Sequence, residues 1–227
     1  VERFPACLDR NGRPGFEGCI LSNLKIIEIA KERKLPSVLI LEDDIVFMPW
    51  AKEVLREVES IGSSSDTVDL EWDLISLAPT INRRLTLDPK NENRTLVPMH
   101  GELPEKRHNE RGIFGTSMML YHESMYDTLL NFWSYEKEWM REKGEVSPWD
   151  MVLDEKVYPE VRSYSSSLPV CTQIMDKSSV NGGQEVNNHY LMTYNWNLYI
   201  RRICTKWMDL KTAMEARDLG EYSLHCP

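Results

Sequence analysis

The stretch Val38-Leu39-Ile40-Leu41-Glu42-Asp43-Asp44 constrains this chain more than any other. A short, continuous apolar run starting at Ser37 is the pattern of a strand buried on both faces of a sheet. It runs directly into three adjacent carboxylates, each of which costs several kcal/mol if taken from water unpaired. The strand must therefore end at a place that water or a positive charge can reach. Before it, Gly18 to Lys34 has helical periodicity, with Ile20, Leu24, Ile27 and Ala30 on one face and Lys25, Lys31 and Glu32 facing out. Leu35-Pro36 ends that helix.

The rest of the chain continues in the same manner. Met48-Pro49-Trp50 opens a second helix that runs to about Ser60. Asp73 to Leu77 reads as a strand stopped by Pro79, Gly115 to Tyr121 as a third strand, and Glu123 to about Glu142 as one or two helices. A short helix over Trp149–Glu155 is led by Pro148, and Leu168 to Ile174 reads as a last strand. Helices between parallel-looking strands predict an α/β sheet. Asn82 to Arg111 is a long polar stretch with little periodicity, the kind of loop that is usually functional or mobile. Asn188 to Arg217 reads as mainly helical and is dense in Tyr and Trp. The expected organisation is one domain over 1–183 and a helical extension over 184–227 packed on it.

Composition narrows the function classes. The chain of 227 residues carries 36 acidic and 27 basic side chains, a formal charge of −9. A protein that mainly grips nucleic acid needs a basic face instead. No apolar run approaches the ~20 residues that span a bilayer. No signal peptide is visible, and the start at Val1-Glu2-Arg3 leaves room for a removed leader or anchor. The five cysteines, Cys7, Cys19, Cys171, Cys204 and Cys226, contain no CxxC pair. They argue against a zinc site and for thiols in a reducing compartment, cytoplasmic rather than the ER lumen. Asn93-Arg94-Thr95 fits a glycosylation sequon but arises often by chance.

Three roles compete for the acidic cluster. It is a solvated turn, a receiver-type magnesium site, or a divalent cation site for a sugar nucleotide. A receiver needs an acceptor Asp at the end of the later strand, where Ala78 stands. Carboxylate oxygens suit magnesium or manganese, and in an extended segment Glu42 and Asp44, at i and i+2, point the same way. A cation there would bridge two phosphates and stabilise a departing diphosphate. The open ends of parallel strands are where α/β sheets bind ligands.

Gly18-Cys19-Ile20-Leu21-Ser22, a helix, then Leu41-Glu42-Asp43-Asp44 resembles glycosyltransferase family 25, the lipopolysaccharide and procollagen galactosyltransferases. That family's pattern is Gly-Cys-x-x-Ser-His, a helix, then Leu-Glu-Asp-Asp. Weaker likenesses follow in order: Trp72-Asp73-Leu74-Ile75, Gly115 to Tyr121, Pro148-Trp149-Asp150-x-x-Leu153, Leu168-Pro169-Val170-x-x-Gln173 and Ser178-Ser179-Val180. The resemblance covers roughly Pro14 to Val180. It implies a GT-A-type, Rossmann-like mixed sheet flanked by helices, and a UDP-sugar donor, usually galactose or glucose. It also implies inversion at the anomeric carbon and a glycan, lipid-glycan or protein hydroxyl as acceptor. Asn23 stands where the family has His, and the family's Arg-bearing first strand is not found, so it is missing or replaced.

The residue roles follow. Asp44 is the first candidate metal ligand and Glu42 the second, with Mn2+ the expected ion and Mg2+ its substitute. His189 is the candidate third ligand, although a lone His is more often structural. Asp43, Ser22 and Gln173 are candidate donor contacts, set against roles as a turn carboxylate or as polar residues at the sheet edge. Asp150 is the candidate general base; as an acid in the first turn of a helix it also has a structural explanation. Asp154 and Glu155 are its substitutes. Tyr190, Tyr194, Trp196, Tyr199 and Trp207 read as core packing before sugar stacking, and Lys106, Arg107 and Arg111 as a solvated loop before a diphosphate clamp. The rival function is a non-catalytic glycan- or partner-binding module on the same fold.

Overall fold

A computed structural model of the chain describes residues 2–8, 15–63, 71–78, 96–99, 116–133 and 149–173. The chain divides into two units, Val1–Asn188 and His189–Pro227, and every described residue belongs to the first. The expected boundary near residue 183, the aromatic segment, His189 and the basic loop residues lie outside the described residues.

Helix α1 spans Phe16–Glu32 and buries Ile20, Leu24, Ile27 and Ala30, the face that its periodicity predicts. It ends in a Schellman turn. Lys34 adopts φ 52°, its N–H bonds the Lys31 carbonyl at 3.0 Å, and the Leu35 N–H reaches back to the Ala30 carbonyl at 3.0 Å. Pro36 then releases the chain into β1, Ser37–Leu41. Strand β2 is Ile45–Phe47, α2 is Ala51–Ser63, β3 is Leu74–Ser76, and β4 is Leu96–Pro98. Strand β5, Met118–His122, leads through a single 3-10 turn at Glu123–Met125 into helical residues 126–133, here α3. Helix α4, Trp149–Val152, passes into a π-helical stretch Leu153–Val157 and a 3-10 turn Tyr158–Glu160. Strands β6, Ser163–Ser166, and β7, Cys171–Gln173, follow.

The fold is an α/β arrangement around a five-stranded mixed sheet in the order β1-β5-β3-β6-β4, with β2 and β7 forming a separate antiparallel pair. Only β3 and β6 pair in parallel; β1–β5, β3–β5 and β4–β6 are antiparallel. The parallel neighbours expected for β1 and β3 are thus separated by β5, which runs against both. Strands β1, β3 and β6 still share one direction, so their carboxyl ends lie on the same side of the sheet. Strand β1 is an edge of the described sheet. Leu39 is 40% exposed and Ile40 5%, so β1 buries one face and not the two expected. Strand β4 is the other edge, where Pro98 is tolerated because a ladder hydrogen bond is not required of it.

The core joins α1, β1, β3, β5, α3 and α4. Ile20, Ile27, Leu74, Met119, Tyr121, Leu129, Leu153 and Tyr158 are fully buried within it. Asp73 closes the opposite end of the sheet. Its carboxylate accepts from the Arg162 main-chain N–H at 3.0 Å, Nε at 2.9 Å and Nη2 at 2.8 Å, and from the Ser124 hydroxyl at 2.7 Å. Arg162 also pairs with Glu71. The Arg162 guanidinium, more than burial or the Ser124 bond, sets the Asp73 pKa far below the usual carboxylate range. Among the described residues no helix is long and apolar enough to cross a membrane.

Candidate active site

The carboxyl end of β1 is built first by backbone pairing. The β1–β5 ladder sets Leu41 opposite Met118, and one step further the Glu42 N–H donates to the Ser117 carbonyl at 3.0 Å. Residues 43–44 form a turn that returns the chain into β2. The extended geometry assumed for Glu42 and Asp44 therefore stops at Glu42, and strict i, i+2 alternation does not govern the pair. Asp43 and Asp44 are exposed; Glu42 is half-buried. The Glu42 carboxylate is held by two hydroxyls, Thr116 Oγ1 on Oε1 and Ser117 Oγ on Oε2, each at 3.0 Å.

Thiols on α1 and β7 feel the charge of this turn. The Cys19 thiol, on α1, is pushed up to about 12, chiefly by burial and then by the negative charges of Glu42, Asp150 and Asp44. The same thiol is thus within electrostatic reach of all three carboxylates. Cys171, on β7, is also pushed up to about 12, by burial and by Glu42 and Asp44. Its Sγ lies 3.9 Å from Met118 Sδ. The sheet register places the Gln173 backbone opposite Ile45, next to Asp44; its side chain, like those of Asp154 and Glu155, lies outside the described residues. Cys7, Cys19 and Cys171 are free.

The core holds buried polar atoms as well. Tyr121 (0% exposed) and Trp149 (2%) pack together, and burial raises the tyrosine hydroxyl well above its ordinary range. The Trp149 N–H partly offsets that rise, yet the pair misses hydrogen-bond geometry, so Tyr121 Oη and Trp149 Nε1 are both unpartnered. Asn23, one turn from Cys19, donates to the Cys19 carbonyl at 3.0 Å and leaves its own Oδ1 buried and unpartnered. The Ser22 hydroxyl donates to the Gly18 carbonyl and accepts from the Cys7 N–H, both at 2.8 Å, so it ties residues 2–8 to α1.

Glu42, Asp150 and Asp44 thus all act electrostatically on Cys19, and Asp43 shares the turn with Asp44. Among the described residues, no three His, Cys, Asp or Glu side chains gather into a preformed cation cage. The donor set still suits a hard cation of the magnesium type, which keeps waters and substrate phosphates and takes only one or two carboxylates from the protein. Thr116 and Ser117 lie in the family-like segment Gly115 to Tyr121, and the β1–β5 register, carried one step past Leu41–Met118, sets them against the acidic turn, whereas Tyr121 stands opposite Val38. Compared with protein-family models and with curated proteins, the chain matches none.

Proposed function

We propose that this chain is a metal-dependent glycosyltransferase with a GT-A-type fold, moving a hexose from a UDP-sugar to a hydroxyl acceptor with inversion. The observation that carries the reading is the acidic turn Glu42–Asp44 just beyond the carboxyl end of β1, whose charges, with that of Asp150, reach Cys19 on α1. Three strands, β1, β3 and β6, end on that side, and open α/β sheets take their ligands there. The resemblance of Gly18–Ser22 and Leu41–Asp44 to glycosyltransferase family 25 supports the same assignment.

Asp44, with Glu42, would hold the divalent cation, Mn2+ or Mg2+, and Asp43 would contact the donor. The cation would supply Lewis-acid stabilisation of charge on the departing diphosphate. Asp150 takes the proton from the acceptor hydroxyl. That oxygen then forms a bond to the anomeric carbon as the bond from that carbon to the diphosphate oxygen breaks, and UDP leaves with the electron pair. Attack opposite the leaving group inverts the centre, and one base is enough.

A screen of sugar nucleotides tests this. With Mn2+ present, a UDP-hexose should raise the melting temperature and be slowly hydrolysed to UDP. A chain that neither binds nor hydrolyses any UDP-sugar would contradict this reading and favour the non-catalytic glycan- or partner-binding module.

A further inference from the structure

We infer that β1 is a docking edge for a second copy of this chain, paired antiparallel about a two-fold axis at Leu39. The inference does not depend on the glycosyltransferase reading. Strand β1 ends the described sheet, with β5 on its inner side. Main-chain bonds fix which of its groups face outward. The Glu42 N–H donates to the Ser117 carbonyl, and the Glu123 N–H to the Pro36 carbonyl. In an antiparallel ladder such pairing alternates, so Pro36, Val38, Ile40 and Glu42 address β5. Ser37, Leu39 and Leu41 therefore turn their N–H and C=O groups away from β5, where none of the described residues pairs with them. Such an edge is normally blunted by a charge, a proline or a bulge. Ser37–Leu41 has no charged residue or proline, its register with β5 is unbroken, and Leu39 is 40% exposed.

Charge identifies the occupant. The chain enters β1 past the exposed Arg33 and Lys34 and leaves it at the exposed Asp43 and Asp44. Arg33 is already paired with Glu2, so Lys34 is the basic group to be met. An antiparallel copy brings its acidic end to this basic end, and its basic end to the acidic one. A parallel copy would set like charges together. One register uses every outward group: Leu39 faces Leu39 of the second copy, and Ser37 faces its Leu41. Each facing pair then exchanges both of its main-chain hydrogen bonds. Lys34 and Asp44 stand equally far from Leu39 in sequence, so this register also brings them to the same level. The two Leu39 side chains lie side by side on one face of the joined sheet. The contact is isologous and closes at two copies.

Sedimentation equilibrium tests this. The wild-type chain should form a dimer that dissociates on dilution and more readily at high salt. Leu39→Pro removes an outward N–H and leaves the β1–β5 bonds in place. It should weaken the dimer about 10–100-fold. Lys34→Glu should weaken it about 10-fold, and Lys34→Glu with Asp44→Lys should restore most of the loss. Circular dichroism checks that each variant is folded; if Leu39→Pro is not, the charge exchange decides. A wild-type chain that stays monomeric up to about 0.1 mM overturns the inference. Dimer strength unchanged in Leu39→Pro or in Lys34→Glu, or assembly beyond two copies, also overturns it.

Discussion

Asp150 and Asp44 divide the proposed chemistry between them, and single substitutions separate their roles. Asp150→Asn keeps size and hydrogen bonding but cannot accept the acceptor proton. Transfer should fall about 10²–10⁴-fold while UDP-sugar affinity holds, measured by product formation and calorimetry. Asp44→Ala should abolish Mn2+-dependent donor binding in a protein that still melts cooperatively. The thiols beside them report the local field. Cys19 and Cys171 have folded pKa values pushed up to about 12, from an ordinary value of 9.0. Below pH 9 both are protonated whether folded or not. Between pH 9 and 12 the unfolded chain loses those protons first, so stability should decline with pH across that window in denaturant titrations. Of these residues, the carboxylates and Cys19 stand out in the sequence as unusual types at a strand end and in a motif. Thr116 and Ser117 are seen there only as part of a family-like strand, and their bonds to Glu42 follow from which strand pairs with β1, a register that a single sequence does not carry.

At the scale of elements, the sequence is most legible where one periodicity dominates. The α1 face and the bounds of β1 agree with the periodicity and with Pro36 and Glu42 as punctuation. Ile27→Ala removes a fully buried side chain of that face and should cost about 2–5 kcal/mol. Lys34→Gly should stabilise by about 0.5–1 kcal/mol, since only glycine holds a positive φ without steric cost. Strand β6 escapes sequence reading because Ser163-Tyr164-Ser165-Ser166 lacks apolar residues, although three of its four residues are buried. Strand β4 is hidden in a polar stretch, and β2 looks like the continuation of β1 past the acidic turn. Asp73 binds β3 to the chain entering β6 through Arg162. Asp73→Ala should cost about 1.5–3 kcal/mol, the range for hydrogen bonds to charged groups. Its folded pKa is depressed, so this contribution is present above the unfolded value of about 4 and is lost as pH falls below it.

For the whole molecule, the fold class follows from alternating helices and strands, but the strand order does not. Inserting β5 between β1 and β3 turns an apparently parallel sheet into a mostly antiparallel one. It also brings the Thr116–Ser117 end of β5 against the acidic turn, a juxtaposition that the strand order decides. The central claim is that this end of the sheet holds a cation and, through it, a nucleotide diphosphate. The most direct test is calorimetric titration of UDP into the chain, first with Mn2+ and then with excess chelator. Saturable binding that the chelator and Asp44→Ala both abolish is the predicted result. Binding of equal strength with chelator, or none in either condition, would contradict it.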